Sequence, residues 1–231
     1  YGRSALMLSG GGVLGFLHVG VVTELLRHGL LPRVVSGSSA GSIVAAALAA
    51  YTDEEMIQLD LIALMESGGA DTKGLVRQWL SGAGSRFTAE DTEKLIESTI
   101  PDLTFGEAYA KTGRQVSITV APAEPHQRSR LLNAVSSPNV YLRSAAMASC
   151  AIPGVFPAVM LQAKNEKGER QPYLPARRWV DGSVADDLPA KRLSRLFSTN
   201  HYIVSMVNPI ARAFLPRDDK VRTLRQAATS L

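Results

Sequence analysis

The order of apolar and polar positions predicts alternating strands and helices in the first part of the chain. Residues 5–9 form an apolar run typical of a buried strand, and residues 34–36 form a second one. A helix that ends near Gly29 is predicted between them by four positions that recur at helical spacing on one face: Leu17, Val21, Leu25 and His28. Residues 42–51 are almost wholly apolar, which predicts a buried helix after the second strand.

This alternation is typical of an α/β domain with a parallel sheet and right-handed crossover helices. The later elements predicted are helix starts at Thr88 and Thr104, a strand at 115–120, a hairpin of 157–163 with 170–174, and strands at 178–181 and 201–207. Residues 53–65 are predicted to be helical, and the glycine-rich residues 67–85 to form a long mobile connection that could act as a lid. Ligands bind at the carboxyl ends of parallel strands, so we expect the chemistry in the turns there.

Length and composition favour one domain that spans residues 1–231. Of the 231 residues, 45% are hydrophobic, and no proline-rich or low-complexity tract divides the chain. The longest apolar stretch, residues 43–51, is far shorter than the roughly 20 residues that cross a bilayer. We therefore expect a soluble or peripheral protein, with the cytoplasmic side favoured and the compartment open. Cys150 is the only cysteine, which excludes an internal disulfide and a cysteine-rich zinc site, and we expect it to be a small buried residue.

The net charge of +4 hides an asymmetry between the two halves of the chain. Residues 1–110 carry 7 Lys and Arg against 13 Asp and Glu, whereas residues 111–231 carry 18 against 8. Solvated helix faces account for most of these charges, but one subset could also meet an anionic lipid surface: Arg177, Arg178, Lys191, Arg192, Arg195, Arg212, Arg217, Lys220, Arg222 and Arg225. Nucleic-acid binding is not expected, because no aromatic residues interleave with these charges as a stacking platform requires.

The turn after the second predicted strand carries the strongest candidate for a nucleophile. Ser39 lies in Gly37-Ser38-Ser39-Ala40-Gly41, between the strand and the apolar helix. A strand that turns straight into a helix strains the turn residue and exposes its hydroxyl, and flanking glycines relieve the crowding. The free N–H groups of the helix N-terminus then favour negative charge at Ser39. The alternative is a glycine- and serine-rich turn that only caps a buried helix.

The glycine run after the first strand has three possible uses. Gly10-x-Gly12-x-x-Gly15 matches the dinucleotide-binding fingerprint, but the second strand ends without the Asp or Glu that holds a ribose. A phosphate-binding P-loop is excluded because no lysine follows the glycines. The third use is an oxyanion hole beside Ser39, with N–H donors from three consecutive residues: Gly10, Gly11 and Gly12.

A nucleophilic serine also needs a base, for which the chain offers two candidates. Of the four histidines, only His201, at a strand edge, is placed for the histidine of a triad. Asp181 ends the short apolar strand Trp179-Val180-Asp181 and is followed by a glycine. Its carboxylate could take the Ser39 proton directly, although an ordinary aspartate is a weak base and burial would have to strengthen it.

Taken together, these motifs resemble the patatin-like phospholipases, a family of α/β lipid acyl hydrolases. The resemblance covers most of residues 4–209 and rests on four blocks: residues 10–15, 37–41 and 151–157, and Asp181-Gly182. It implies a three-layer α/β/α fold with a mainly parallel central sheet, a Ser/Asp dyad without a catalytic histidine, and no cofactor or metal. By the same resemblance, Ser39 is the nucleophile, Asp181 the base, and the oxyanion donors are Gly10, Gly11 and Gly12.

Two positions depart from the broad family pattern and refine the expected function. Leu14 stands where the glycine loop usually has Arg or Lys, and Ser183 where a second glycine commonly follows the dyad aspartate. Both resemble the triacylglycerol lipases of yeast and plant lipid droplets, which favours neutral glycerides. We expect a serine lipid acyl hydrolase that cleaves acylglycerols or phospholipids at a membrane or lipid droplet surface. The alternatives are a His201-dependent esterase of α/β-hydrolase type and a non-catalytic lipid-binding module.

Overall fold

The computed structural model describes residues 2–59, 88–124 and 126–207. The strands are β1 (Arg3–Leu8), β2 (Val34–Gly37), β3 (Gln115–Pro122), β4 (Arg130–Asn133), β5 (Gln162–Lys164), β6 (Arg170–Pro172), β7 (Trp179–Asp181) and β8 (Thr199–Ser205). The helices are α1 (Leu17–Arg27), α2 (Ala40–Ala50), α3 (Asp53–Gln58), α4 (Ala89–Thr99), α5 (Phe105–Thr112), α6 (Leu142–Ser149), α7 (Ser183–Asp186) and α8 (Ala190–Phe197), and a 3₁₀ turn (Gly12–Phe16) precedes α1. Among the described helices, none combines the length and the apolar composition needed to cross a membrane.

Six of these strands form one twisted sheet with the order β4-β3-β2-β1-β8, and β7 pairs with β3. The pairs β1–β2, β2–β3 and β1–β8 are parallel, whereas β4 and β7 run antiparallel to β3. Strands β5 and β6 form a separate hairpin. The predicted mainly parallel sheet is confirmed, with an antiparallel strand at the β4 edge.

The alternation of side chains along β1 divides the core into two layers. Leu6 and Leu8 face a large cluster that includes α2, while Ala5 and Met7 face a smaller cluster that includes Leu193 of α8. Almost every residue of α2 is buried, because the helix is apolar on all sides and lies inside the large cluster. The sheet therefore carries helices on both faces, which confirms the predicted three-layer α/β/α arrangement.

The predicted inner face of α1 is wrong by one position. Leu17 is 58% exposed and Val21 is also exposed, whereas His18, Val19 and Val22 are buried. The ring of His18 forms hydrogen bonds with the carbonyl of Ser9 and the hydroxyl of Ser205, so this residue and not Leu17 faces the sheet. The helix nevertheless ends where it was predicted to end, just before the positive-φ residue Gly29.

The segment before the predicted hairpin also differs from the prediction. The ladder covers only β5 and β6, and Val159 instead exchanges two backbone hydrogen bonds of 2.8 Å with Trp179 of β7. This isolated bridge ties Val159 to β7. Of the predicted helix at 53–65, only α3 is described; the rest of it and the glycine-rich residues 67–85 lie outside the described residues.

Arg114, whose side chain is almost completely buried, forms hydrogen bonds with the carboxyl end of α2. Its guanidinium donates to the carbonyl oxygens of Leu48 and Tyr51 and pairs with the carboxylate of Asp53. The last carbonyl groups of a helix have no partner within the helix, so these bonds satisfy two of them. Burial lowers the pKa of Arg114, and the charge of Asp53 opposes that shift.

Candidate active site

The register of the sheet brings the ends of β2 and β7 together beside β3. Strand β2 ends at Gly37, opposite Ile118. Two positions further along β3, Val120 pairs with Arg130 of β4 on one side and with Asp181 of β7 on the other. Strand β4 pairs with one edge of β3. Strand β2 pairs with the other edge only as far as Gly37, and β7 pairs with the part of that edge beyond it. The turn after β2 and the last residue of β7 therefore meet.

Ser39 occupies a strained backbone conformation in that turn, as its sequence predicts. Its φ of 49° and ψ of −127° are rare for a residue with a side chain, at a cost of about 1–3 kcal/mol. The Ser39 N–H donates to Oγ of Ser149 at 2.9 Å, and that hydroxyl donates to the carbonyl of Thr119 at 2.8 Å. Ser149 thus ties the strained turn to β3.

The two glycines that flank Ser39 are required by close backbone contacts. A Cβ atom at Gly37 would lie 2.2 Å from the carbonyl oxygen of Gly41, and one at Gly41 would lie 2.4 Å from that of Leu8. No side chain fits at such distances. The glycines therefore let α2 start directly against the ends of β1 and β2, which is the role predicted from the pentapeptide.

Asp181 is buried at the end of β7, with only 2% of its surface exposed. Burial raises the pKa of Asp181, and hydrogen bonding by the neighbouring Ser39 and Ser183 opposes that shift. The Ser183 N–H donates to one carboxylate oxygen of Asp181 at 2.8 Å. A Cβ atom at Gly182 would lie 2.3 Å from the carbonyl oxygen of Thr119, so only glycine lets this turn press against β3.

The glycine loop lies against Ser39, but its first N–H is already engaged. A Cβ atom at Gly10 would lie 3.2 Å from Cβ of Ser39, which places this residue beside the turn. The Gly10 N–H donates to Oδ1 of Asp187 at 2.7 Å. Of the three predicted oxyanion donors, the Gly10 N–H is therefore one that already has a carboxylate acceptor in this structure.

The directions of the Gly11 and Gly12 N–H groups are fixed by hydrogen bonds to the carbonyl groups that share their peptide units. The Ser9 hydroxyl donates to the carbonyl of Gly10 at 2.9 Å, and the Leu14 N–H donates to that of Gly11 at 3.2 Å. In a planar trans peptide the N–H points away from the carbonyl, so these bonds fix the directions of the next N–H groups. Among the described residues, neither N–H donates to a protein acceptor.

A buried histidine supports the start of this loop. His18 Nε2 donates to the carbonyl of Ser9 at 2.9 Å, so Nδ1 accepts from the Ser205 hydroxyl at 2.7 Å. The Ser9 hydroxyl in turn accepts from the Val207 N–H at 2.9 Å. Burial lowers the pKa of His18, which favours the neutral ring that this bonding pattern needs. The carbonyl and the hydroxyl of Ser9 are thus both held in place.

His201 is not brought to Ser39. It pairs with Ser4 near the amino end of β1, and its Nδ1 lies 3.0 Å from the Ser4 hydroxyl. The Ser39 turn lies at the other end of β1, beyond Leu8, which is four residues or about 13 Å along the strand. A Ser39–His201 pair therefore cannot form in this structure.

An apolar cavity of about 260 Å³ opens beside Ser39. Its floor includes Ile43 of α2 and Leu95 of α4, and the more exposed Ile152 and Val155 lie at its rim. The glycine loop and Ser39 form one end of the cavity, and no charged side chain of the described residues lines it. Such a cavity favours an apolar chain over a charged group.

Cys150 also lines this cavity, and it is buried as predicted. Burial, with a contribution from the charge of Asp181, raises the pKa of its thiol to about 12, so it remains a protonated, unreactive side chain at neutral pH. Among the described residues, no group of three His, Cys, Asp or Glu side chains is arranged to hold a metal ion.

Comparison with known proteins connects this arrangement to a family. The family model described as patatin-like phospholipase matches residues 6–194. Triacylglycerol lipase 4 of Saccharomyces cerevisiae is 44% identical over 90% of this chain, and triacylglycerol lipase SDP1L of Arabidopsis thaliana is 38% identical over 96% of it. The chain spans only 24% and 30% of the lengths of these two relatives. The crystal structure of VipD from Legionella pneumophila matches 81% of this chain and 47% of its own, with a TM-score of 0.46 and 16% identity.

Proposed function

Because the chain belongs to the patatin-like phospholipase family, we propose that it is a serine hydrolase that cleaves carboxylic esters of acylglycerols or phospholipids. The observation that carries this proposal is the meeting of Ser39 and Asp181 at the ends of β2 and β7. One is a strained serine with an apolar cavity beside it, and the other is a buried carboxylate whose pKa is raised. A raised pKa makes Asp181 a stronger base than an ordinary aspartate.

In the first half of the reaction, Asp181 takes the proton of Ser39 Oγ as that oxygen attacks the ester carbonyl carbon. The tetrahedral intermediate that forms carries a negative oxygen. It collapses to a serine ester, and the departing alcohol takes the proton back from Asp181. In the second half, Asp181 removes a proton from a water molecule that attacks the serine ester. The bond between the acyl carbon and Ser39 Oγ then breaks, and Oγ takes that proton back from Asp181, so that a fatty acid and free Ser39 are the products.

The donors for the negative oxygen are the N–H groups of Gly11 and Gly12. Their orientations are set before substrate binds, through Ser9 on one peptide unit and Leu14 on the next. Donors fixed in advance stabilise the charge without reorganising, and the removal of one such donor typically costs about 3–4 kcal/mol of barrier. Gly10 serves a different purpose: its N–H is held by Asp187, and its lack of a side chain leaves room for Ser39 and Ser183.

Neutral acylglycerols are the substrate class that these residues favour. The cavity beside Ser39 accepts an acyl chain and offers no cation to a phosphate group. Leu14 stands where the wider family usually has a basic residue, and two similar proteins carry the name triacylglycerol lipase. Hydrolysis of phospholipids by the same dyad is slower on this account, because their charged head groups find no partner beside the cavity.

A fluorophosphonate probe and a lipid panel test this proposal together. The probe is expected to label the wild-type chain at Ser39 and to leave Ser39→Ala unlabelled. Among triolein, phosphatidylcholine and lysophosphatidylcholine, triolein is expected to be hydrolysed fastest. A folded wild-type chain that is not labelled and releases no fatty acid would instead be a non-catalytic lipid-binding module.

A further inference from the structure

An exposed apolar loop forms part of the rim of the cavity beside Ser39. Residues 152–158 have the sequence Ile-Pro-Gly-Val-Phe-Pro-Ala, so no side chain in the loop carries a nitrogen or oxygen atom. All of these residues except Phe156 are exposed, and Val155 is exposed to 65%. Single apolar residues on a surface are ordinary, but a continuous exposed run of them at the mouth of a cavity indicates a contact surface.

Both ends of this loop are fastened to β7. The Asp181 N–H donates to the carbonyl of Ala151, directly before the loop, at 2.9 Å. Val159, directly after the loop, pairs with Trp179. The loop therefore projects from the strand that carries the proposed base, and whatever binds the loop is held next to the candidate active site.

The loop and the cavity share one apolar surface. Ile152, Val155 and Phe156 belong to the loop and also line the cavity, which continues inward to Ile43 and Leu95. An acyl chain that leaves a lipid layer beside the loop meets apolar groups from the layer to the cavity. It therefore reaches the cavity without exposing its hydrocarbon to water, a step that the hydrophobic effect opposes.

The backbone of the loop suits a medium that offers no hydrogen bonds. Pro153 and Pro157 have no N–H group. The N–H groups of Val155 and Phe156 both donate to the carbonyl of Ile152, at 3.0 and 2.9 Å. A backbone donor in hydrocarbon is costly without a partner, so a loop with few free donors enters a lipid layer more readily. A protein partner instead uses hydrogen bonds around its contact, and the side chains of this loop offer none.

We propose that residues 152–158 insert into the surface of an uncharged lipid layer and hold the mouth of the cavity against it. The layer is uncharged because the loop carries no basic group that would attract anionic head groups. This inference rests on the proposed function in one respect, since it takes the substrate to be a lipid of that layer. Attachment itself does not require Ser39 to react.

Binding to a triolein emulsion coated with phosphatidylcholine tests the loop directly. Ser39→Ala is the background, so that no lipid is consumed, and the bound fraction is measured by flotation. Insertion buries the exposed 65% of Val155, which contributes about a tenfold factor in affinity. Val155→Asp also brings a charge into the layer and is expected to bind more weakly by about tenfold or more.

Val135→Asp is the matched control for this variant. Val135 lies in the turn after β4 and is 64% exposed, so the same substitution is made at the same exposure outside the loop. It is expected to leave emulsion binding nearly unchanged. An equal loss in Val155→Asp and Val135→Asp, or no loss in Val155→Asp, would overturn the proposal.

A second pair of variants adds a carboxylate without removing an apolar group. Gly154, in the loop, and Gly168, in the turn between β5 and β6, have φ values of 81° and 84°, and a Cβ atom at either would have open space around it. Asp tolerates such φ values better than most residues do. Gly154→Asp is expected to weaken emulsion binding severalfold and Gly168→Asp to leave it nearly unchanged. The opposite order would count against insertion of the loop.

Tryptophan fluorescence measures insertion at the same two valine positions. Addition of the emulsion is expected to shift the emission of Val155→Trp to shorter wavelength, relative to the unsubstituted background, and to leave that of Val135→Trp in place. If neither shifts, the loop does not enter the layer and the proposal is wrong.

Two further outcomes identify a different explanation. If Val155→Asp converts a dimer into a monomer in sedimentation and leaves emulsion binding unchanged, the loop contacts a second copy of the chain and the proposal is overturned. Turnover of a soluble short-chain ester by wild type is measured separately. If that ester is not hydrolysed, the proposed hydrolase is wrong, while emulsion binding still decides the role of the loop.

Discussion

At the scale of single residues, Ser39 combines two properties that oppose each other. Its hydroxyl is the proposed nucleophile, while its positive φ is one that a side chain disfavours. Glycine adopts that conformation freely, so Ser39→Gly is expected to be more stable than Ser39→Ala by about 1 kcal/mol. Urea denaturation of the two inactive variants measures this difference.

Ser42, in the first turn of α2, supplies the control for that comparison. In a regular helix glycine is less favourable than alanine by about 1 kcal/mol. Ser42→Ala is therefore expected to be more stable than Ser42→Gly, the reverse of the order at Ser39. The same order at both positions would contradict a strained turn at Ser39.

The raised pKa of Asp181 predicts the pH dependence of hydrolysis. The carboxyl group must be ionised to accept a proton, so kcat/KM falls as the pH drops through its pKa. Because burial raises that pKa, the acid limb is expected above the usual aspartate value of about 3.9. His201→Ala is expected to leave the limb in place. If the acid limb disappeared in His201→Ala, or lay at the usual aspartate value, Asp181 would not be the base.

The Ser9 hydroxyl is a positioning group in this account, because it orients the Gly11 N–H without touching substrate. Ser9→Ala is expected to lower kcat by roughly 10- to 100-fold with little change in KM, since only the transition state uses that donor. Ser9→Thr keeps a hydroxyl and is expected to recover most of the loss. Ser4→Ala, at the other end of β1, is the matched control. A change in KM alone after Ser9→Ala would rule out this role.

At the scale of the elements, α2 depends on both of its ends. Its start carries Ser39, and its last carbonyl groups are satisfied by Arg114 from the start of β3. Arg114→Met keeps the length of the side chain but leaves buried carbonyl groups without partners, at an expected cost of about 2–4 kcal/mol of unfolding free energy.

Arg143→Met is the control for Arg114→Met, because Arg143 also donates to helix-end carbonyl groups, at Ile100 and Glu97, but is itself less buried. It is expected to cost clearly less, about 1 kcal/mol. If thermal and urea denaturation gave equal losses of stability for the two variants, the burial of Arg114 would not explain its contribution.

The local motifs of the site follow from the sequence, whereas its supporting contacts do not. The strained turn at Ser39 and the buried strand end at Asp181 each depend on neighbouring residues, so short patterns predict both. Ser149 and Asp187 reach the site across 110 and 177 positions, and no local spacing signals such contacts. For this reason the sequence gives no sign that the Gly10 N–H has a carboxylate acceptor, because Asp187 lies on a distant segment.

Helix α1 shows the same limit at the scale of an element. Its helical character and its end near Gly29 follow from the pattern of residues. Its inner face is set by His18, whose ring bonds to the end of β1 and to β8. A histidine at one helical position carries no signal of that contact, so spacing favoured Leu17 and Val21 in its place.

At the scale of the whole molecule, the central sheet brings the ends of two strands together. Strands β2 and β7 approach each other along one edge of β3, while β4 takes the other edge. On this account the sheet assembles the proposed dyad of Ser39 and Asp181. The matched family region, residues 6–194, contains Ser39, Asp181 and the glycine loop.

The central claim is that Ser39 works with Asp181 and without histidine, and turnover of a soluble short-chain ester tests it most directly. Wild type is compared with Ser39→Ala, Asp181→Asn and His201→Ala, each shown to be folded by its thermal melt. The account predicts that kcat falls by about a thousandfold or more in the first two variants and stays within about twofold of wild type in the third. Near-total loss in folded His201→Ala, or substantial turnover in folded Asp181→Asn, would contradict it.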